Sequence, residues 1–169
     1  MGVAADDEDD EVGAITITGT WRTTPGPDAL WSVVNDLTTW SQWWPAISDA
    51  QALGGHGDDL GGARLTFDTR PPLRPLVVTL TVLEREAPHR LVVAVTDGPL
   101  SGDGTVTISD DPAGSATHYG IRLRVRSLLF KPIEPILSSA TRSKGKARLA
   151  RAGDDLARLA GGELVDHEA

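Results

Sequence analysis

Trp40-Ser41-Gln42-Trp43-Trp44-Pro45 places three of the chain's five tryptophans within six residues. Large, stiff rings ahead of a helix-breaking proline suit the wall of a concave site for an apolar or aromatic ligand. The same rings would serve as core plugs, since tryptophan is highly buried on average, and both readings stand. Tyr119, the only tyrosine, lies in a strand-like segment where its phenol would act as a proton donor near pH 7. The four histidines, His56, His89, His118 and His167, form no helix-spaced pair, and the chain has no cysteine, so no metal site is indicated. A hydrolase triad lacks its Gly-x-Ser-x-Gly turn, and no dinucleotide fingerprint is present. The chemistry on offer is apolar binding with few polar anchors and no cofactor.

Periodicity supplies the elements that must position these rings. Ile15, Ile17, Gly19 and Trp21 alternate with Thr16, Thr18, Thr20 and Arg22, as in a half-buried strand. Pro27 and Asp28 then open a short helix over roughly 27–37, with Leu30, Val33, Val34 and Leu37 at helical spacing. The tryptophan cluster forms a second, shorter helix or turn, and Ile47 to Leu53 returns the chain to a sheet. Gly54 to Gly62 reads as a hairpin tip, and the proline-rich Arg70 to Pro75 as a stiff connection. Further strands are predicted at 63–69, 76–85, 90–97, 105–109 and 116–127, separated by turn residues such as Pro88, Gly98-Pro99, Gly102 and Asp111-Pro112. In the last of these, Tyr119, Ile121, Leu123 and Val125 share the face expected to point inward, while His118, Arg122, Arg124 and Arg126 share the outer one. From about Pro132 to Ala160 the composition turns to alanine, leucine and charge, which predicts a long helix stopped by Gly161-Gly162. Its apolar face runs through Ile133, Ile136, Leu137 and Ala140, then shifts to Gly145, Leu149, Ala152, Leu156 and Leu159.

The net charge of −8 is concentrated at the two ends. Asp6 to Glu11 supply six acids and Glu163, Asp166 and Glu168 three more, leaving 15 acids against 16 bases between them. The expected organisation is an acidic disordered tail at 1–12, one domain at 13–162 and an acidic tail at 163–169. An acidic start and the lack of any apolar run near the ~18 residues of a spanning helix point to a cytoplasmic protein that does not cross a membrane. The bases cluster between Arg122 and Arg151. Arg142, Lys144, Arg148 and Arg151 would present a positive face to an acidic carrier protein, an anionic lipid or the chain's own acidic start. The basic stretch lacks tryptophan and tyrosine, which argues against nucleic acid.

Strand, two short helices, about six antiparallel strands and one long helix make an α+β order that resembles the START-like, or SRPBCC, superfamily with its helix-grip fold. The resemblance runs from about Ile15 to Ala160. It rests on Asp28-Ala29-Leu30-Trp31, Asn35-Asp36-Leu37, Trp40, Trp43-Trp44-Pro45, the hairpin ending at Gly61-Gly62 and the leucine-bearing last helix. It implies a curved sheet gripping the long helix, with a deep apolar cavity between them. In that cavity Trp43, Trp44, Leu65, Phe67, Tyr119, Ile121, Leu123 and Leu137 would contact a lipid- or polyketide-like ligand. Superfamily relatives also suggest a polyketide cyclase or dehydratase acting on a carrier-bound intermediate, with Tyr119 as the catalytic proton donor, or a non-catalytic chaperone-cofactor or stress-type module. Gly19-Thr20-Trp21 matches the lipocalin signature as well, but lipocalins place no two helices between their first two strands.

Overall fold

A computed structural model describes residues 15–54, 60–68, 74–125 and 143–169. The alternating first segment forms β1 (Ile15–Thr23), and Pro27 starts α1 (Pro27–Val34), where a missing N–H costs nothing and Asp28 faces the positive helix end. The helix ends before the expected Leu37. The Asp36 carboxylate accepts from the Thr38 backbone N–H at 3.0 Å and the Thr38 hydroxyl at 2.6 Å, which begins a 3-10 turn at Leu37–Thr39 instead. Then come α2 (Trp40–Trp43), β2 (Ile47–Leu53), β3 (Gly62–Phe67), β4 (Leu76–Glu86), β5 (Arg90–Asp97), β6 (Leu100–Asp111), β7 (Gly114–Val125), α3 (Ser143–Leu159) and β8 (Leu164–Glu168). Among the described residues the strands make one eight-stranded antiparallel sheet in the order β2-β3-β4-β5-β6-β7-β1-β8. This is the helix-grip α+β architecture.

Two expectations change. Gly102, expected as a break, lies inside β6, which begins at Leu100 and not at Thr105. Residues 163–169, expected as a tail, hold β8, the edge strand beside β1. Alternation alone does not reveal so short an acidic strand. Its support comes from partners far away in sequence: Arg22 lies 3.0 Å from Glu168 and 3.4 Å from Asp166, and Thr24 N–H donates to the Glu163 carbonyl at 3.0 Å. The expected tail at 1–12 and the first part of the long helix, from Pro132 to Arg142, lie outside the described residues.

One face of the sheet carries the core. Leu65, Val78, Leu80, Leu91, Val93, Ile108 and Trp21 are all buried there, each contributed by a strand whose alternate residues face solvent. The α3 helix packs across β1 and β8 and against α1 and α2. Its buried stripe is Leu149, Ala152, Leu156 and Ala157, with Gly153 alongside, whereas Leu159, expected in that stripe, is 44 % exposed. Gly162 N–H bonds to the Ala157 carbonyl at 2.8 Å and Gly161 N–H to the Arg158 carbonyl at 3.0 Å, the paired closure that ends a helix at Gly161-Gly162.

Trp21 joins sheet to helix. Its ring is 1 % exposed, and its Nε1–H donates to the Leu149 carbonyl at 2.8 Å. The indole lies directly against the Gly153 backbone, so a Cβ at that position would collide with the ring. A helix-interior glycine normally gains about 1 kcal/mol on replacement by alanine. Here the opposite sign is expected. Urea unfolding of Gly153→Ala should show a lower midpoint than wild type with an unchanged slope, and a raised midpoint would mean the indole does not occupy that contact.

Candidate functional site

The sequence cluster of tryptophans divides by role. Trp40 is buried, and its Nε1–H donates at 2.9 Å to the Val34 carbonyl, one of the acceptors α1 leaves open at its end. Trp43 is also core, 2 % exposed, edge-on to Trp21 at 6.1 Å and to Trp44 at 5.5 Å. Trp44 is only half-buried. It leans edge-on toward Trp21 at 6.1 Å and Tyr119 at 6.4 Å, at the margin of the packed region. Proline at position 45 cannot continue α2, and this places Trp44 just past the helix end.

Tyr119 lies flat on the inner face of the sheet. Its cross-strand partner is Gly19, whose missing side chain leaves the space that the phenol fills. The ring stacks on Trp21 with centroids 4.2 Å apart and reaches over β1 to the edge strand. There its hydroxyl meets His167 Nε2 at 2.8 Å. His167 comes to the inner face because it pairs with Trp21 across β1 and β8. Burial pushes the phenol up to about 12, and burial also lowers the imidazole, with Asp166 opposing that shift and Lys146 adding to it. Both groups are therefore neutral at pH 7. When the phenol, the stronger acid, donates to Nε2, the ring proton stays on Nδ1.

His167 escapes sequence reasoning because it sits in a stretch that reads as tail. The inner faces of the predicted strands offered tyrosine and threonine without a histidine, and the edge strand supplies one. Leu164 and His167 stand three residues apart, a spacing that plain alternation would put on opposite faces, and only the register shift between Arg22 and Thr23 sets them opposite Thr23 and Trp21.

Beyond Tyr119 the same inner face changes character. Ile17, Val106, Ile121, Leu123 and Val125 are half-buried on the adjoining strands β1, β6 and β7, and Phe67 is half-buried on β3. Leu65 and Tyr119, at 1 % and 3 % exposure, lie on the packed side with Trp43. Thus four of the residues expected to contact a ligand, Trp44, Phe67, Ile121 and Leu123, keep accessible apolar surface. Leu137 lies outside the described residues.

Two surface depressions of about 210 Å³ lie elsewhere. One sits between Asp36, Thr38, Leu53 and Arg85, and the other over the outer-face residues Ser101, Asp103, Arg122 and Arg124. Of the expected basic face, Arg142 is outside the described residues and Lys144 falls in the first turn of α3. Arg148 and Arg151 are exposed, with Arg151 3.8 Å from Asp155 on the same helix. Among the described residues no group of three histidines or carboxylates gathers as a metal site, and no helix is long and apolar enough to cross a membrane.

Comparison with known proteins follows this geometry. A family model described as polyketide cyclase / dehydrase and lipid transport matches residues 14–160. Comparison with the curated proteins gives no match. A START superfamily protein from Mycobacterium smegmatis superposes with a TM-score of 0.60 at 16 % identity, over 82 % of this chain and 92 % of that one. TTHA0849 from Thermus thermophilus gives 0.64 at 10 % identity, over 85 % and 96 %. The di-domain ARO/CYC BexL from the BE-7585A biosynthetic pathway gives 0.62 at 11 % identity, over 88 % of this chain and 50 % of that one. At these identities the structures share the fold.

Burial of His167 makes stability depend on pH. The folded protein holds His167 neutral at pH values where the unfolded chain would protonate it, so the unfolded state binds more protons there. Stability should be complete above about pH 6.5 and fall as pH drops toward the folded-state value. Denaturation midpoints for wild type and His167→Gln between pH 5 and 7.5 check this. The decline should be shallower in the variant, and parallel curves would remove His167 from the linkage.

Proposed function

The chain belongs to the polyketide cyclase / dehydrase and lipid transport family, a START-like group, and from that membership we propose that it binds a small apolar or aromatic ligand on the inner face of its sheet. The observation that carries this reading is the unequal packing of that face. Around Trp21 the rings of Trp43 and Tyr119 are sealed, yet Ile17, Val106, Leu123 and Val125 continue the same apolar surface while only half-buried. A contiguous apolar surface that the fold leaves partly accessible is a site for something else that is apolar.

A second reading has support from one specific feature. A neutral phenol beside a histidine is the kind of pair that moves a proton during cyclisation or dehydration of a polyketide, with Tyr119 as donor. In this reading the exposed Arg148 would meet an acidic carrier. Turnover of a model poly-β-ketone that disappears in Tyr119→Phe would promote this reading, and full turnover in that variant would reject the role.

Binding itself is tested by titrating the purified protein with naphthalene while following tryptophan fluorescence, to which the half-buried Trp44 should contribute. Saturable binding is expected. Leu123→Trp, which fills the accessible surface with a ring of its own, should weaken it at least tenfold while leaving the far-ultraviolet circular dichroism unchanged. No saturable change in wild type, or undiminished affinity in a folded Leu123→Trp, would contradict the proposal.

A further inference from the structure

The residue on this surface best placed to touch a ligand's polar atom lies beyond the stretch that the family model matches, which ends at residue 160. Strand β8 delivers it. On the outer face of the sheet Arg22 ties the strand down through Glu168 and Asp166, and at its start Glu163 N–H donates to Thr24 Oγ1 at 3.0 Å. These ties fix the register that sets His167 opposite Trp21 on the inner face. The two rings lie 6.3 Å apart.

The polar groups at this point are not equivalent. Tyr119 is 3 % exposed, and its hydroxyl is engaged by His167. His167 is half-buried, and among the described residues its Nδ1 makes no hydrogen bond. With Tyr119 donating to Nε2, Nδ1 carries the proton and is a donor. The imidazole ring lies 6.2 Å from that of Tyr119, and the half-buried Ile121 stands two residues from Tyr119 on the same face of β7. A single oriented donor beside apolar walls selects a ligand by one acceptor atom.

Resting on the ligand-binding reading above, we propose that His167 anchors a carbonyl oxygen of a ring-bearing apolar ligand through Nδ1–H, and that Tyr119 is the positioning residue that holds this tautomer. The ligand class is therefore an aromatic or polycyclic ketone in preference to a plain hydrocarbon. The groups that bear electrostatically on His167 are Asp166 on its own strand, Lys146 on α3 and the neutral Tyr119 on β7.

The test compares two probes, naphthalene and 2-acetonaphthone, in wild type, His167→Leu, His167→Asn and Tyr119→Phe. Wild type should bind the ketone about tenfold more tightly than the hydrocarbon. His167→Leu should bring that ratio to about threefold or less without weakening naphthalene. His167→Asn, whose amide N–H reaches near the Nδ1 position, should restore part of the preference, and Tyr119→Phe should fall between. Naphthalene binding with the same ratio in wild type and His167→Leu would overturn the anchor and leave the binding surface standing, whereas failure of both probes to bind wild type would overturn both. If His167→Leu does not fold, the imidazole nitrogen resonances of wild type decide: the Nδ1 signal should move with 2-acetonaphthone and stay with naphthalene, and an unmoved signal at saturation would reject the proposal.

Discussion

A tryptophan lying against a glycine holds this fold together. Trp21 stands on β1 near one edge of the sheet, donates to the Leu149 carbonyl and presses its ring on Gly153, so strand and helix approach closely at one place. Tyr119 stacks beneath it, Trp43 meets it edge-on, and both are sealed from water. Replacing such a ring by alanine typically costs about 3–5 kcal/mol, a large part of the stability of a domain this size. One indole thus fixes where α3 sits.

The division of the inner face follows from that placement. Where the helix is drawn down, apolar residues pack to core density; farther along β1 and β7, the same face is only half-covered. Tyr119 and His167 stand at the seam between the two regions. A hydrogen bond in this position joins the edge strand β8 to β7 across β1. In the proposed reading the same pair serves stability and recognition.

Much of this was legible in the chain because strand alternation and helix stops are local. The inward parity of Tyr119, Ile121 and Leu123 could be read from the pattern of β7, and the helix end from Gly161-Gly162. What stayed hidden depends on contacts between distant segments. Residues 164–168 carry too few apolar positions to declare a strand, and only Arg22 and Thr24, some 140 residues earlier, turn their charges and carbonyls into pairing. At Gly153 the space a side chain would fill is taken by Trp21, so the glycine marks a close contact between helix and sheet. The tryptophan cluster misleads for a similar reason, since ring identity does not say which ring is sealed and which stands at the margin.

The central claim is that one half of the inner face is protein core and the other half is ligand surface. Methyl-resolved NMR of the folded protein titrated with naphthalene tests it most directly. The account predicts that methyl signals of Ile17, Val106, Ile121, Leu123 and Val125 move together with one affinity while those of Leu30, Val34 and Leu156 hold still. Movement confined to Leu37, Leu53 and Leu60, which line the depression beside Asp36 and Arg85, or no movement at any of the first five, would contradict it.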